Sequence, residues 1–151
     1  MGDIVFTNYN VQFLFNVIIS ILVGYVIGVE RESRGKDAGI STNIFVISGS
    51  MMFCFMSFMV EGFNSEARIA AGIVTGIGFL GAGLILKEGE RVINLTTAAS
   101  LWFSAAVGMS IGFGYYVVAL IATVTSVFVP RIPHLHKKSP ESVHHDSSNH
   151  K

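Results

Sequence analysis

ARIAAGIVTGIGFLGAGLIL, residues 67–86, decides the fold. After Arg68 it runs eighteen residues, to Leu86, without a charge. At about 1.5 Å per residue a helix of that length spans roughly 27 Å, close to the hydrocarbon thickness of a bilayer. Glycine stands at positions 72, 76, 78, 81 and 83. In water each would weaken a helix by about 1 kcal/mol relative to alanine. In lipid an unsatisfied peptide group costs more, so the helix persists and its glycines become surfaces of close approach. Gly72, Gly76 and Gly83 fall on one face, while Gly78 and Gly81 open others. A helix shaved on several sides is predicted to sit at the centre of a bundle, surrounded by other helices.

The same stretch contains a false lead. Gly76-Ile77-Gly78-Phe79-Leu80-Gly81 matches the dinucleotide fingerprint GxGxxG. That motif requires a strand before it, a helix after it and an acidic residue about 20 positions on. Here the glycines lie inside one apolar run, and the distal region holds Leu101 and Trp102. No nucleotide is expected.

Working outward, the rest of the chain has the same character. It is 51% hydrophobic and only 13% charged, with mean hydropathy +0.59, against about a quarter charged in soluble domains. The fold class expected is an all-α polytopic membrane bundle of about five helices. The spans are placed at about 11–29, 40–60, 68–86, 94–112 and 115–130, so residues 1–130 form the transmembrane bundle. The first span carries Ser20, Gly24 and Gly28 four residues apart, a stripe for helix contact. Gln12 and Asn16 are expected to face protein. The fourth carries Thr96, Ser100, Ser104, Gly108 and Gly112 at the same interval, a face suited to the glycine helix. Glu30–Gly39, Glu61–Glu66 and Lys87–Arg91 read as loops, with Ser65 the N-cap of the third span. Tyr115 and Tyr116 form an interfacial aromatic pair before a short fifth span that Pro130 and Pro133 stop. Residues 131–151 hold all five histidines and read as a disordered cytoplasmic His/Ser/Lys tail. Lys and Arg are absent before residue 31 and the first apolar run is long, so no cleavable signal peptide is expected. Cys54, the single cysteine, excludes an internal disulfide and reads as a packed thiol.

Positive charge orients the spans. Arg31, Arg34, Lys36, Lys87, Arg91, Arg131, Lys137, Lys138 and Lys151 fall on one side, and only Arg68 on the other. The N-terminus is therefore expected outside and the C-terminus in the cytoplasm.

Chemistry is sparse within the spans. No histidine lies in or near one, so acid–base catalysis and a catalytic metal are not expected, and neither is a cofactor. Later spans lack the midplane ionisable residue common in ion-coupled transporters. What remains is the cytoplasmic rim of Glu30, Arg31, Glu32, Asp37 and Asn43. It reads either as an interfacial Glu30–Arg31 ion pair or as a cation or partner site built from Glu30, Glu32, Asp37 and Asn43. Whether any metal binds is left open. The bilayer is one partner; another membrane protein or a second copy of the chain is a further one, and nucleic acid is not.

Three blocks resemble the MgtC/SapB membrane proteins: GVERESRGKDAGISTN at 28–43, RIAAGIVTGIGFLGAGLILKEGERV at 68–92 and LTTAASLW at 95–102. In the first, Gly28, Glu30, Arg31, Glu32, Gly35, Lys36, Ala38, Gly39, Thr42 and Asn43 match the family pattern. Ser41 stands where an arginine is usual, and Ile93-Asn94 where Arg-Gly is common. The resemblance implies a bacterial inner-membrane factor for growth in low magnesium or acid stress and for survival inside host phagocytes. It also implies action on other membrane machinery, including the F-type ATP synthase, rather than transport. Many members continue into a soluble cytoplasmic domain resembling an ACT domain, and the chain is expected to be a short form without it. An Mg²⁺ or other ion transporter or channel is the alternative, and a purely structural assembly subunit a third.

Overall fold

The computed structural model describes residues 2–59, 65–88 and 91–132. The histidine tail and the loop residues 60–64 and 89–90 lie outside them. The described residues form five α-helices: α1 Gly2–Ser33, α2 Ile40–Ser57, α3 Ser65–Leu84, α4 Leu95–Gly112 and α5 Tyr116–Phe128. Four of these, with α1 counted from Asn8, are long and apolar enough to cross a membrane. The fifth helix is shorter and is extended by a 3₁₀ turn, Val129–Arg131. The expected all-α bundle is the observed architecture.

The helices run up and down, and constant residue offsets describe how they meet. Between α1 and α2 the contacting pairs sum to 68. A Cβ placed on Gly24 would lie 2.7 Å from the Ile44 Cα, and one on Gly28 would strike the Ile40 Cα. The rings of Phe13 and Phe55 pack at a tilt with centroids 5.3 Å apart. These helices are antiparallel. Between α2 and α4 the offset is 61: Asn43 meets Ser104, Ile47 meets Gly108 and Met51 meets Gly112. Those two helices are parallel, and a Cβ on Gly108 would run into the Ile47 carbonyl oxygen. Small residues every fourth position thus bring backbones together on both sides of α2. Ile47, Met51 and Phe55 of α2 join Ile27, Val107, Ile111 and Ala119 in one buried cluster.

The centre of the bundle is therefore α2 with α4, and the expectation of a central glycine helix is corrected. Only 11% of the apolar window of α3 is buried, against 50% for α4. A Cβ on Gly72, Gly76, Gly78 or Gly83 would meet nothing within 4 Å, and only Gly81 comes near a neighbour, 3.6 Å from the Ala98 Cβ. Where α3 and α4 diverge, a cavity of about 290 Å³ opens between Val74 and Ile77 on one side and Trp102, Ala105 and Met109 on the other. The physical reason is simple. Glycine permits close approach but supplies no attraction, whereas the α4 stripe also brings hydroxyls that α2 can bond. That stripe is corrected at one end: Thr96 is exposed, and buried Thr97 replaces it.

Local departures follow from particular residues. Ser65 is the first residue of α3, and its hydroxyl donates to the Ser57 carbonyl of α2 (3.2 Å). The expected third loop is a hairpin, in which β1 (Leu86–Glu88) pairs antiparallel with β2 (Arg91–Ile93). Asn94, next in the chain, has φ +64°, a left-handed conformation that asparagine adopts more readily than most residues. Asn16 is fully buried as expected, whereas Gln12 is exposed on the N-terminal part of α1.

Candidate functional site

At the end of α1 the chain leaves the apolar layer through Glu30, Arg31 and Glu32, and helical geometry points adjacent side chains about 100° apart. The Glu30–Arg31 ion pair does not form for that reason. Arg31 turns inward and is 5% exposed. Its Nε donates to the carbonyls of Asp37 and Ala38, both at 3.0 Å. One terminal nitrogen donates to the Asp37 carbonyl (2.5 Å) and to Thr97 Oγ1 (3.1 Å), and the other to Ser100 Oγ (2.5 Å). A single planar fork thus ties the α1–α2 turn to the first turns of α4. Only arginine has donors in this arrangement.

The turn is shaped to present those carbonyls. Gly35 and Ala38 both take positive φ, +60° and +58°. For alanine this costs about 1–2 kcal/mol, and the bonds to its carbonyl hold it there. Asn43 completes the arrangement from the first turn of α2. Its Nδ2 donates to the Ala38 and Gly39 carbonyls at 2.6 and 2.9 Å, and its Oδ1 accepts from Ser104 (2.8 Å). Glu32 Oε1 accepts the Ile40 amide at the start of α2 (2.9 Å), where a carboxylate also complements the helix dipole. It lies so close to Gly39 that any side chain at 39 would displace it.

Glu30 faces the other way. Its side chain is 4% exposed and accepts from Arg34 at 3.4 Å, with Arg131 at 3.9 Å. Asp37 is exposed and enters the clasp through its backbone alone. Arg31, Asn43 and the backbone of Asp37 are therefore brought together, and the carboxylates of Glu30, Glu32 and Asp37 are not. Among the described residues no group of three His, Cys, Asp or Glu side chains converges as metal ligands would. Gly24, Gly28, Ser104 and Gly108 lie at helix contacts, but the α4 stripe meets α2, and through Ser100 Arg31 of α1, instead of the glycine helix expected as its partner, and Gly72, Gly76 and Gly83 remain open. Thr97 and Arg131 were missed. Thr97 was legible as the residue three before Ser100, on the same helical face. Nothing in the sequence pairs Arg131 with Glu30 across a hundred positions.

The MgtC family model matches residues 17–137. Protein MgtC of Salmonella typhimurium (strain LT2) is 46% identical over 112 residues, covering 74% of this chain and 48% of its own. Protein MgtC of Brucella abortus (strain 2308) is 50% identical over 108 residues, covering 72% and 45%. The chain thus spans about half the length of the curated relatives it matches. No solved structure matches it. With four long apolar helices and a family match over most of its length, this multi-pass membrane protein belongs to the MgtC family.

Proposed function

We propose that the protein is a non-enzymatic modulator of other membrane machinery, of the kind the F-type ATP synthase represents, in adaptation to low magnesium or acid stress and in virulence. The observation that carries this reading is the clasped turn. Arg31 and Asn43 fix the backbone of residues 37–39, and Arg34, Lys36 and Asp37 stand exposed on it. A turn held this firmly presents its charges as a fixed surface, which suits recognition by a partner. A transporter would instead need a site that opens alternately to both sides. Purified protein in liposomes should give no flux of Mg²⁺, K⁺ or H⁺ above that of empty vesicles. Flux that follows protein content would replace the modulator reading with the transporter.

The rim supplies a second measurement. Glu30→Gln keeps shape and removes the charge facing Arg34 and Arg131, two arginines that themselves keep access to water. Growth in magnesium-poor medium is expected to fail while protein abundance stays normal. Normal growth of the variant would reduce Glu30 to an interfacial anchor.

We place the protein in the bacterial inner membrane with its N-terminus outside and its C-terminus in the cytoplasm. This rests on the distribution of positive charge and on three segments meeting at one end, the α1–α2 turn, the start of α4 and Arg131. In a Cys54→Ser background, Lys36→Cys should react with an impermeant thiol reagent only after the cells are opened, and Tyr115→Cys in intact cells. The reverse pattern would invert the topology.

A further inference from the structure

We propose that the middle of the bundle holds an internal water molecule, bound between Asn16 and Ser20 of α1 and Ser48 of α2. Three buried side-chain polar atoms among the described residues have no partner within the protein: Asn16 Nδ2, Ser20 Oγ and Ser48 Oγ. Asn16 and Ser20 are both 0% exposed. They lie four residues apart, on one face of α1.

The register of α1 against α2 brings Ser48 to the same place. Gly28 with Ile40, Gly24 with Ile44 and Phe13 with Phe55 all sum to 68. Ser20 and Ser48 have that sum too, and fall between the last two pairs. The register therefore sets Ser48 opposite Ser20, one helical turn from Asn16, about midway along both helices.

Two features make this a site rather than a coincidence of burial. Thr75, Ser110, Thr123 and Thr125 each donate to the carbonyl four residues back, at 2.7–2.9 Å, the usual recourse of a hydroxyl in an apolar helix. Ser20 and Ser48 do not. There is also a geometric source of room. Near Gly24 and Gly28 the two backbones nearly touch, whereas at Phe13 and Phe55 two rings stand between them. The helices must splay from one end to the other, and the two smallest facing polar side chains sit where the gap has begun to widen.

Water fits this donor set better than a cation. The Asn16 Oδ1 already accepts from Tyr116 of α5 at 2.8 Å, which leaves the amide nitrogen, a donor, facing the gap. A cation needs acceptors only. Water accepts from Asn16 and donates to two hydroxyl oxygens, which satisfies three groups with one molecule. Through Asn16 and Tyr116 it links α1, α2 and α5 at one polar node.

The test is a structure of the full chain in lipid at a resolution that shows ordered water, joined to a double-mutant cycle. One density peak is expected within hydrogen-bond distance of Asn16 Nδ2, Ser20 Oγ and Ser48 Oγ. Ser20→Ala and Ser48→Ala should each lower the Tm in nanodiscs, and the double variant should fall little further than either. A direct Ser20–Ser48 hydrogen bond without that peak would overturn the proposal. So would alanine variants that raise the Tm, since removing a dry, unpaired hydroxyl relieves the fold.

Discussion

Gly108→Leu is expected to leave no monodisperse protein on size-exclusion chromatography in detergent. The first added carbon would already collide with the Ile47 carbonyl oxygen, and backbone in the middle of α2 cannot move aside as a flexible side-chain tip can. Overpacking of a close-fitted interior costs about 1–3 kcal/mol and sometimes more. This contact joins the two helices that carry most of the buried cluster, so the effect belongs at the upper end. Gly76→Leu is the matched control, because the first added carbon there meets nothing within 4 Å. It should purify and melt like the parent. If the two variants behave alike, the assignment of α2 and α4 as the centre is wrong.

Arg31→Lys should be nearly as damaging to stability as Arg31→Gln, although it keeps the charge. The guanidinium serves two backbone carbonyls and two hydroxyls at once. A lysine ammonium is a single point on a flexible stem and cannot span them. Each buried acceptor left unmet costs about 1–3 kcal/mol. Ser100 and Thr97 retain other donors and acceptors, and Asn43 still serves the Ala38 carbonyl, so the loss should come to roughly 1–3 kcal/mol, chiefly from the Asp37 carbonyl. Arg34→Gln loses one long pair at a side chain one-third exposed, and should cost about 0–1 kcal/mol. Thermal unfolding in nanodiscs orders the three variants. A lysine variant with parental stability would show that charge, and not the fork, holds the turn.

The membrane helices were legible because length and apolarity decide them almost alone. The four-residue stripes of α1 and α4 were legible too, and Gly24, Gly28, Ser104 and Gly108 all sit where backbones meet. The partner of each stripe was not. A glycine in sequence says that approach is permitted, and whether anything approaches depends on hydroxyls, carbonyls and fitted side chains elsewhere. Gly76 and Gly108 look equivalent in sequence, yet only one has a carbonyl against it. At the rim the charged residues announced a site, but their charges misled. Arg31 acts on backbone carbonyls, which no sequence pattern displays, and Asp37 contributes its backbone rather than its carboxylate.

The Arg31 clasp also sets an order for biogenesis. Residues 1–57 emerge from the ribosome well before residue 97, so α1 and α2 can enter the lipid as a hairpin while α4 is still unmade. At that moment Arg31 has only the Asp37 and Ala38 carbonyls of its own turn to bond. Its remaining donors stay in the interfacial water until Thr97 and Ser100 arrive. Docking of α4 then withdraws the guanidinium from solvent and closes α2 on its second side in one event. A nascent chain stalled before α4 would keep that arginine wet and the Ile47 face of α2 bare.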